Sequence, residues 1–136
     1  MKTKPIIIIG GEPKSVFFEI FFKSLNKSKF KSPLIIISSK KLFLSQANKF
    51  RFSKKINFID LKNLKKSKLK NKTINLIDVP CKKLNNSKIY IENSFNIAFK
   101  ILKSGLTNKL INGPINKAKF LNKKYPGITE YIAEKF

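Results

Sequence analysis

The chain has 136 residues and a hydrophobic content of 42%, which is enough apolar sequence for one packed domain and argues against intrinsic disorder. Its 30 basic and 7 acidic residues give a net charge of +23, and its one cysteine, Cys81, excludes an internal disulfide or a cysteine cluster for a metal. The apolar run after Pro5 is too short for a signal peptide or a membrane span, so we expect a protein of the reducing cytoplasm.

The first half of the sequence alternates between strand and helix patterns. Residues 6–9 are four isoleucines between proline and glycine, which predicts a strand covered on both faces. Residues 15–25 predict a helix with only a narrow polar stripe, so we expect it to be largely buried or to lie under a partner. Residues 33–37 predict a second buried strand, after which Ser38 or Ser39 caps another helix.

The second half continues the alternation. Residues 56–59 and 74–79 predict two strands, separated by a lysine-rich and asparagine-rich run over residues 62–72 that we expect to be an exposed loop. Asn93 or Ser94 then leads a helix that stops at Gly105. Strands and helices at this spacing predict an α/β fold with a mostly parallel sheet and βαβ crossovers, formed by residues 1–136 as a single segment.

The positive charge permits two interpretations. A basic module that binds RNA or another polyanion non-specifically would have this electrostatic character. However, all basic residues except Arg51 are lysine, and the 62–72 run has no aromatic residue on which a base could stack. Lysine, asparagine, isoleucine and phenylalanine make up more than half of the chain, so we favour a compositional bias and keep polyanion binding as the alternative function.

Two closely spaced turns near the end of the chain carry the strongest functional signal. Residues 109–111 predict a fifth strand, which runs into Asn112-Gly113-Pro114, where glycine permits close backbone approach and proline fits the start of a helix. A second turn, Gly127-Ile128-Thr129-Glu130, follows Pro126 and leads into another helical pattern. The two turns bracket one short helix, and strand-to-helix junctions of this kind commonly hold ligands.

These turns resemble a segment of the 4-hydroxythreonine-4-phosphate dehydrogenase family, which acts in pyridoxal phosphate biosynthesis. Residues 113–117 match the family's Gly-Pro-Ile-Asn-Lys turn completely, and residues 126–130 match its Pro-Gly-His-Thr-Glu turn except that Ile128 replaces histidine. The first turn of the chain is also similar, because it keeps Gly11-Glu12-Pro13 and Glu19. The glycine-rich run expected between them is replaced by residues 14–18.

The resemblance implies an incomplete fold of the isocitrate and isopropylmalate dehydrogenase type. Full-length members are more than twice as long, so the chain would correspond to an N-terminal portion only. Such enzymes oxidise 4-hydroxythreonine 4-phosphate by hydride transfer to NAD and then decarboxylate the product, with a divalent metal ion polarising the oxygen. Members are homodimers, and their metal-ligating histidines and most of their NAD surface lie downstream. We therefore expect this histidine-free chain to support neither cofactor and to be inactive alone.

The resemblance and the residue types give candidate substrate-binding residues. Asn116, Lys117 and Thr129 supply the donors and the cation that a small phosphorylated substrate requires. Because the carboxyl ends of parallel strands meet at one edge of a sheet, we expect residues 10–15 and 112–117 to face one crevice. Catalytic residues are not identified, and Glu12 fits a helix-start acid better than a catalytic role.

Two further positions bear on function. Ile128 cannot make the polar contact of the histidine it replaces, so a relative with lost or altered activity is a third hypothesis. Cys81 would be a nucleophile in a functional interpretation, but no histidine is present to activate it, which favours a structural role.

Overall fold

The computed structural model describes residues 3–65 and 69–136. Met1 and Lys2 at the N-terminus, and residues 66–68 of the predicted loop, lie outside the described residues. The strands are β1 (Ile6–Ile9), β2 (Leu34–Ser38), β3 (Ile56–Phe58), β4 (Ile74–Asp78) and β5 (Leu110–Asn112). The helices are α1 (Phe17–Lys27), α2 (Lys40–Lys49), α3 (Lys88–Lys103), α4 (Lys117–Leu121) and α5 (Ile128–Lys135), with a 3₁₀ turn at Leu61–Asn63.

The five strands form one parallel sheet in the order β3-β4-β2-β1-β5. Ile8 of β1 lies opposite Ile36 of β2 on one side and Ile111 of β5 on the other. The α/β class and the parallel sheet predicted from the sequence are confirmed. The residues of the three inner strands are largely buried, and the short strands β3 and β5 form the two edges.

Two hydrophobic cores lie on opposite faces of the sheet. Alternate residues of β1 and β2 point to opposite faces, so Ile7 and Ile9 pack with α3, α4 and α5 while Ile8 packs with α1 and α2. The second core is rich in phenylalanine, and the rings of Phe22 and Phe43 meet edge to face with centroids 5.3 Å apart. Each face of the sheet is therefore covered by its own layer of helices.

Helix α1 is only partly buried, although its nearly all-apolar sequence predicted a helix that is largely buried or lies under a partner. Four phenylalanines and one leucine face the sheet and α2, whereas Ile20 is 58% exposed. A helix buries about one stripe of its surface against a sheet, so apolar residues outside that stripe stay in solvent unless another element covers them. The exposed side of α1 borders an apolar groove that is lined also by residues of β1 and β5.

Two predicted helix starts are wrong. Helix α3 begins at Lys88 and not at Asn93 or Ser94, because Tyr90 and Ile91 are buried against the core and extend the helix toward the N-terminus. The Ser94 hydroxyl donates to the Tyr90 carbonyl oxygen at 2.8 Å, a bond typical of serine inside a helix and not of a cap. Helix α4 begins after Asn116, and Pro114 stays in the preceding turn.

The predicted loop over residues 62–72 is held to the fold more firmly than an exposed connection would be. Leu64 is buried and Leu69 packs against the core. The fully buried side chain of Asn75 on β4 bonds to both backbone groups of Lys70 and to the Leu34 carbonyl oxygen. The described part of this loop is therefore anchored at the amino end of the sheet.

Candidate functional site

The turns after β1 and β5 pack backbone against backbone at the carboxyl edge of the sheet. The Gly113 N–H donates to the Ile9 carbonyl oxygen at 2.7 Å, and the Glu12 N–H donates to the Pro114 carbonyl oxygen at 2.7 Å. Gly11 has a φ of 74°, and a Cβ atom there would overlap the Pro114 carbonyl oxygen. The expectation that the two turns share one edge is confirmed, and glycine at position 11 is what allows the contact.

The Glu12 side chain joins three separate segments at this edge. One carboxylate oxygen accepts the backbone N–H of Asn116 at 3.0 Å, and the other accepts the hydroxyl of Ser87. Ser87 precedes α3, and Asn116 precedes α4. The carboxylate therefore fixes the starts of two helices relative to the first turn of the chain.

A cavity of about 350 Å³ lies beside this carboxylate, and we call it the Glu12 cavity. It is lined by Glu12, Asn85, Asn86, Ser87, Lys88, Lys119 and Phe120. Nearby, the Lys14 ammonium group donates to the Asn85 side-chain oxygen at 2.9 Å. The cavity thus combines the charges of Lys88 and Lys119 with the amide side chains of Asn85 and Asn86, and Lys88 is also the first residue of α3. Among the described residues no side chain caps α3, and the Ser87 hydroxyl is directed to Glu12 instead. The uncapped start of a helix is a favourable place for an anion.

A buried polar cluster ties α3 to the end of β2. The Tyr90 hydroxyl accepts the Ser39 N–H at 3.1 Å and donates to the Ser38 hydroxyl oxygen at 3.2 Å. Burial raises the pKa of the Tyr90 phenol, so the group stays protonated and keeps donating. Since Tyr90 lies one turn after Ser87, this cluster helps hold the wall of the Glu12 cavity in place.

Comparison with known proteins identifies solved structures with the same fold as this chain. No model of a protein family and no curated protein matches the sequence. The solved 4-hydroxythreonine-4-phosphate dehydrogenase of Klebsiella pneumoniae matches with a TM-score of 0.78 and 20% identity, over 97% of this chain and 44% of that one. The enzyme of the same description from Burkholderia phymatum matches with a TM-score of 0.75 and 21% identity, over 98% and 44%. This chain has the fold of these dehydrogenases.

The resemblance drawn from the two turn motifs is thereby confirmed as a likeness of fold, and the chain fits an N-terminal portion of these dehydrogenases. It spans less than half of the length of the dehydrogenases it matches. At about 20% identity the match shows a shared architecture and does not by itself show a shared chemistry.

The three predicted substrate-binding residues are placed differently from one another. Asn116 caps α4, since its side-chain oxygen accepts the Lys119 N–H at 3.2 Å. Lys117 and Thr129 lie exposed in the first turns of α4 and α5, and among the described residues neither side chain has a hydrogen-bond partner. No hydrogen bond or ion pair within the described ranges joins Thr129 to the other two, so their shared role stays a prediction.

The residues that sequence reasoning missed are those of the Glu12 cavity. Lys88 and Lys119 are two lysines among many, and nothing local distinguishes them. Ser87 offered one usable signal, because a serine directly before an apolar run fits a helix start. The start predicted at Asn93 or Ser94 lies six or seven residues after Ser87, so the prediction did not bring α3 to this edge.

Ile128 stands where the resembled motif has histidine, and its side chain contacts the core. It opens α5, is partly buried and packs against the core formed with α3 and α4. An apolar side chain is therefore stabilised at this position by burial, where the imidazole of the resembled motif would have a polar role.

The donor groups of the described residues do not fit a bound divalent metal ion. The sequence has no histidine, and residues 3–65 and 69–136 contain no group of three or more aspartate, glutamate or cysteine side chains that could hold one. Nor does any helix in these ranges have the length and apolarity needed to cross a membrane.

Cys81 has the surroundings of a structural cysteine. Partial burial raises the pKa of the thiol, and the nearby negative charge of Glu12 raises it further. Its Sγ lies 3.8 Å from the Lys83 carbonyl oxygen, to which it donates. A raised pKa lowers the fraction of thiolate near neutral pH, which opposes a role as a nucleophile.

Proposed function

We propose that this chain forms the N-terminal part of an NAD-dependent oxidoreductase fold acting on 4-hydroxythreonine 4-phosphate, and that it contributes to binding the phosphate of that substrate. The observation that carries the proposal is the close packing of the Gly113-Pro114 turn onto the Gly11-Glu12 turn, within a fold that matches these dehydrogenases over 97% of this chain. The first of the two C-terminal turn motifs thus meets the similar first turn of the chain at one edge.

We assign phosphate binding to the Glu12 cavity. Lys88 and Lys119 supply two positive charges, and the start of α3 adds uncapped N–H groups and the positive end of a helix dipole. Glu12 itself opposes an anion, but each of its oxygens already accepts a hydrogen bond, which disperses its charge. Asn116, Lys117 and Thr129 remain our candidates for contacts to the rest of the substrate.

The proposed reaction needs groups that this chain does not supply. When bound, NAD accepts the hydride from the substrate alcohol and a divalent metal ion polarises its oxygen. The described residues offer no set of metal ligands, so we derive no step through the metal and expect no turnover from this chain alone. Assembly as a homodimer and residence in the reducing cytoplasm belong to the proposal as well.

A calorimetric titration tests phosphate binding. We expect 4-hydroxythreonine 4-phosphate to bind and unphosphorylated 4-hydroxythreonine not to bind measurably. Lys88→Ala and Lys119→Ala should each weaken binding about 3- to 10-fold, because each removes one charge-assisted contact of roughly 1 kcal/mol. Lys100→Ala is the matched control, since Lys100 is exposed on α3 but does not line the cavity. The Lys100→Ala variant should bind the phosphorylated compound with the same affinity as the unmodified protein.

Equal losses in all three lysine variants would contradict the assignment, because they would indicate a general effect of net charge. Equal affinity for the phosphorylated and unphosphorylated compounds would contradict it too. The same titration at several salt concentrations addresses the polyanion alternative. One phosphate contact predicts a shallow dependence on salt, whereas binding of an RNA oligonucleotide through many lysines predicts a steep one.

A further inference from the structure

A second cavity, of about 160 Å³, is lined by residues of α3, α4, α5 and the turn before α5, and we call it the Glu92 cavity. Its walls include Glu92 of α3 and Tyr131 of α5. It shares two lining residues, Lys88 and Phe120, with the Glu12 cavity. The two cavities therefore adjoin at the start of α3, and one ligand of sufficient length can occupy both.

A carboxylate distinguishes the Glu92 cavity from the rest of the surface. Lysines lie on every helix, so a lysine on a cavity wall says little about the ligand, whereas the chain has only 7 acidic residues. Among the described residues that line the Glu92 cavity, Glu92 is the one acid. Its carboxylate favours a ligand that carries a cationic group at this point.

The Glu92 carboxylate is free to meet such a group. Within residues 3–65 and 69–136 it takes part in no hydrogen bond or ion pair, although Lys88 lies one turn before it on the same face of α3. A lysine that precedes a glutamate by one turn is the less favourable order for an ion pair in a helix. Burial raises the pKa of the Tyr131 phenol and the negative charge of Glu92 raises it further, so the carboxylate lies near that wall of the cavity.

The spacing of the two charges on α3 matches the proposed substrate. Residues one turn apart on a helix face, such as Lys88 and Glu92, are separated by about 6 Å along the axis. In 4-hydroxythreonine 4-phosphate a short chain of single bonds of about 1.5 Å each joins the phosphorus to the amino nitrogen, and their extended separation is also roughly 6 Å. A phosphate held beside Lys88 at the start of α3 would therefore bring the amino group to Glu92.

We propose that Glu92 binds the amino group of the phosphorylated substrate, with the phosphate in the Glu12 cavity and the amino end in the Glu92 cavity. This inference rests on the proposed function and deepens it, because it assigns the residue by which the site selects an amino compound. The ammonium group donates a charge-assisted hydrogen bond to the carboxylate. A hydroxyl in place of the amino group could donate only a neutral and weaker one.

Calorimetric titration of two ligands tests the assignment. The ligands are 4-hydroxythreonine 4-phosphate and its 2-hydroxy analogue, in which a hydroxyl replaces the amino group. Glu92→Gln should weaken binding of the amino compound about three- to fivefold, since ionic contacts exposed to solvent are modest. The same substitution removes a negative charge that opposes an anion, so binding of the 2-hydroxy analogue should be unchanged or slightly tighter. The opposite direction of the two effects separates a specific contact from a general effect of charge.

Glu19→Gln is the matched control, because Glu19 lies on α1 at the other face of the sheet and the substitution changes the net charge equally. It should leave the affinity for both ligands within about twofold, since screening weakens charge effects over such a separation. Circular dichroism verifies that both variants are folded.

Three results would overturn the assignment of Glu92: weaker binding of both ligands by Glu92→Gln, weaker binding of neither, or an equal loss in Glu19→Gln. In each case a loss of affinity for both ligands in Lys88→Ala would still support the phosphate site, so the proposed function would survive. If neither ligand bound the unmodified protein, the proposed function would fail and the assignment of Glu92 would fail with it.

Discussion

At the scale of single residues, Glu12 has the most consequential contacts in the molecule. Its backbone N–H bonds to the Pro114 carbonyl oxygen, and its carboxylate accepts from Asn116 and Ser87. Sequence reasoning treats an acid in a first turn as a helix-start residue stabilised by the dipole. Its partners lie 75 and 104 residues away, so no local pattern could reveal that it joins three segments.

Replacing Glu12 tests how much this carboxylate contributes to stability. Glu12→Ala leaves the Asn116 N–H and the Ser87 hydroxyl without their acceptor, so we expect a loss of about 1–3 kcal/mol in the free energy of unfolding. Glu12→Gln should lose less than half as much, since the amide oxygen can accept from Asn116 and the amide N–H can donate to Ser87. Urea denaturation followed by circular dichroism measures both values.

The control for Glu12 is Glu92→Ala, which removes an exposed acid of α3 and changes the net charge by the same amount. We expect it to cost less than about 0.5 kcal/mol. If Glu12→Ala and Glu92→Ala had the same effect, the carboxylate would contribute through charge alone and its contacts to the two helix starts would be unimportant.

At the scale of elements, the strands were easier to predict than the helix starts. A run such as Ile6–Ile9 is apolar enough to be buried wherever it folds, and its neighbours proline and glycine mark its ends. The start of α3 depends instead on tertiary contacts, because Tyr90 extends the helix by bonding to Ser38 and Ser39 at the end of another strand. Caps chosen from local composition alone therefore placed this helix too late.

The loop that follows β3 shows the same dependence on a distant residue. A lysine-rich run predicts solvent exposure, but Asn75 on β4 holds the backbone of Lys70 much as a neighbouring strand would. The side chain of Asn57 donates to the same Asn75 oxygen at 3.0 Å. Asn75 is fully buried, and its amide is satisfied by these bonds and by the Leu34 carbonyl oxygen.

Removing the Asn75 amide should therefore destabilise the protein strongly. Asn75→Ala leaves the Leu34 carbonyl oxygen, which is buried, and the partly buried backbone groups of Lys70 without partners, and we expect it to cost about 2–4 kcal/mol in the free energy of unfolding. Asn57→Ala removes only one of the bonds and should cost about 1 kcal/mol. Urea denaturation gives both values, and amide hydrogen exchange at Lys70 should be faster in Asn75→Ala than in Asn57→Ala.

If the two asparagine variants had equal and small costs, or if exchange at Lys70 did not change, the anchoring of the loop by Asn75 would be refuted. Both variants preserve the net charge, so a difference between them cannot arise from the electrostatics of this basic chain.

At the scale of the whole molecule, the charge is the dominant physical feature. The lysines are spread over every helix, and among the described residues the structure gives one ion pair, Lys23 with Glu19. An even distribution of like charges repels itself across the surface and destabilises the compact state. It also differs from the concentrated basic stripe expected of a dedicated nucleic-acid site.

Salt should therefore stabilise the protein. Between about 10 mM and 150 mM sodium chloride the screening length falls from about 30 Å to about 8 Å, so repulsion between distant lysines is largely removed. We expect the melting temperature to rise by several degrees, measured by circular dichroism. Potassium chloride should act equally, because screening depends on ionic strength and not on the identity of the ion. A constant or falling melting temperature would show that repulsion is not limiting.

The sequence by itself determined the alternation of buried strands and helices, the parallel sheet and the two turn motifs with their family resemblance. These features depend on local properties, namely runs of apolar residues and the conformations that glycine and proline permit. The tertiary structure alone decided that Glu12 joins the starts of α3 and α4, that Lys88 and Lys119 line one cavity, and that Ile20 and Ile111 border one groove. Such contacts join residues far apart in the chain, and the strand order that brings them together is fixed only when the two cores pack against the sheet.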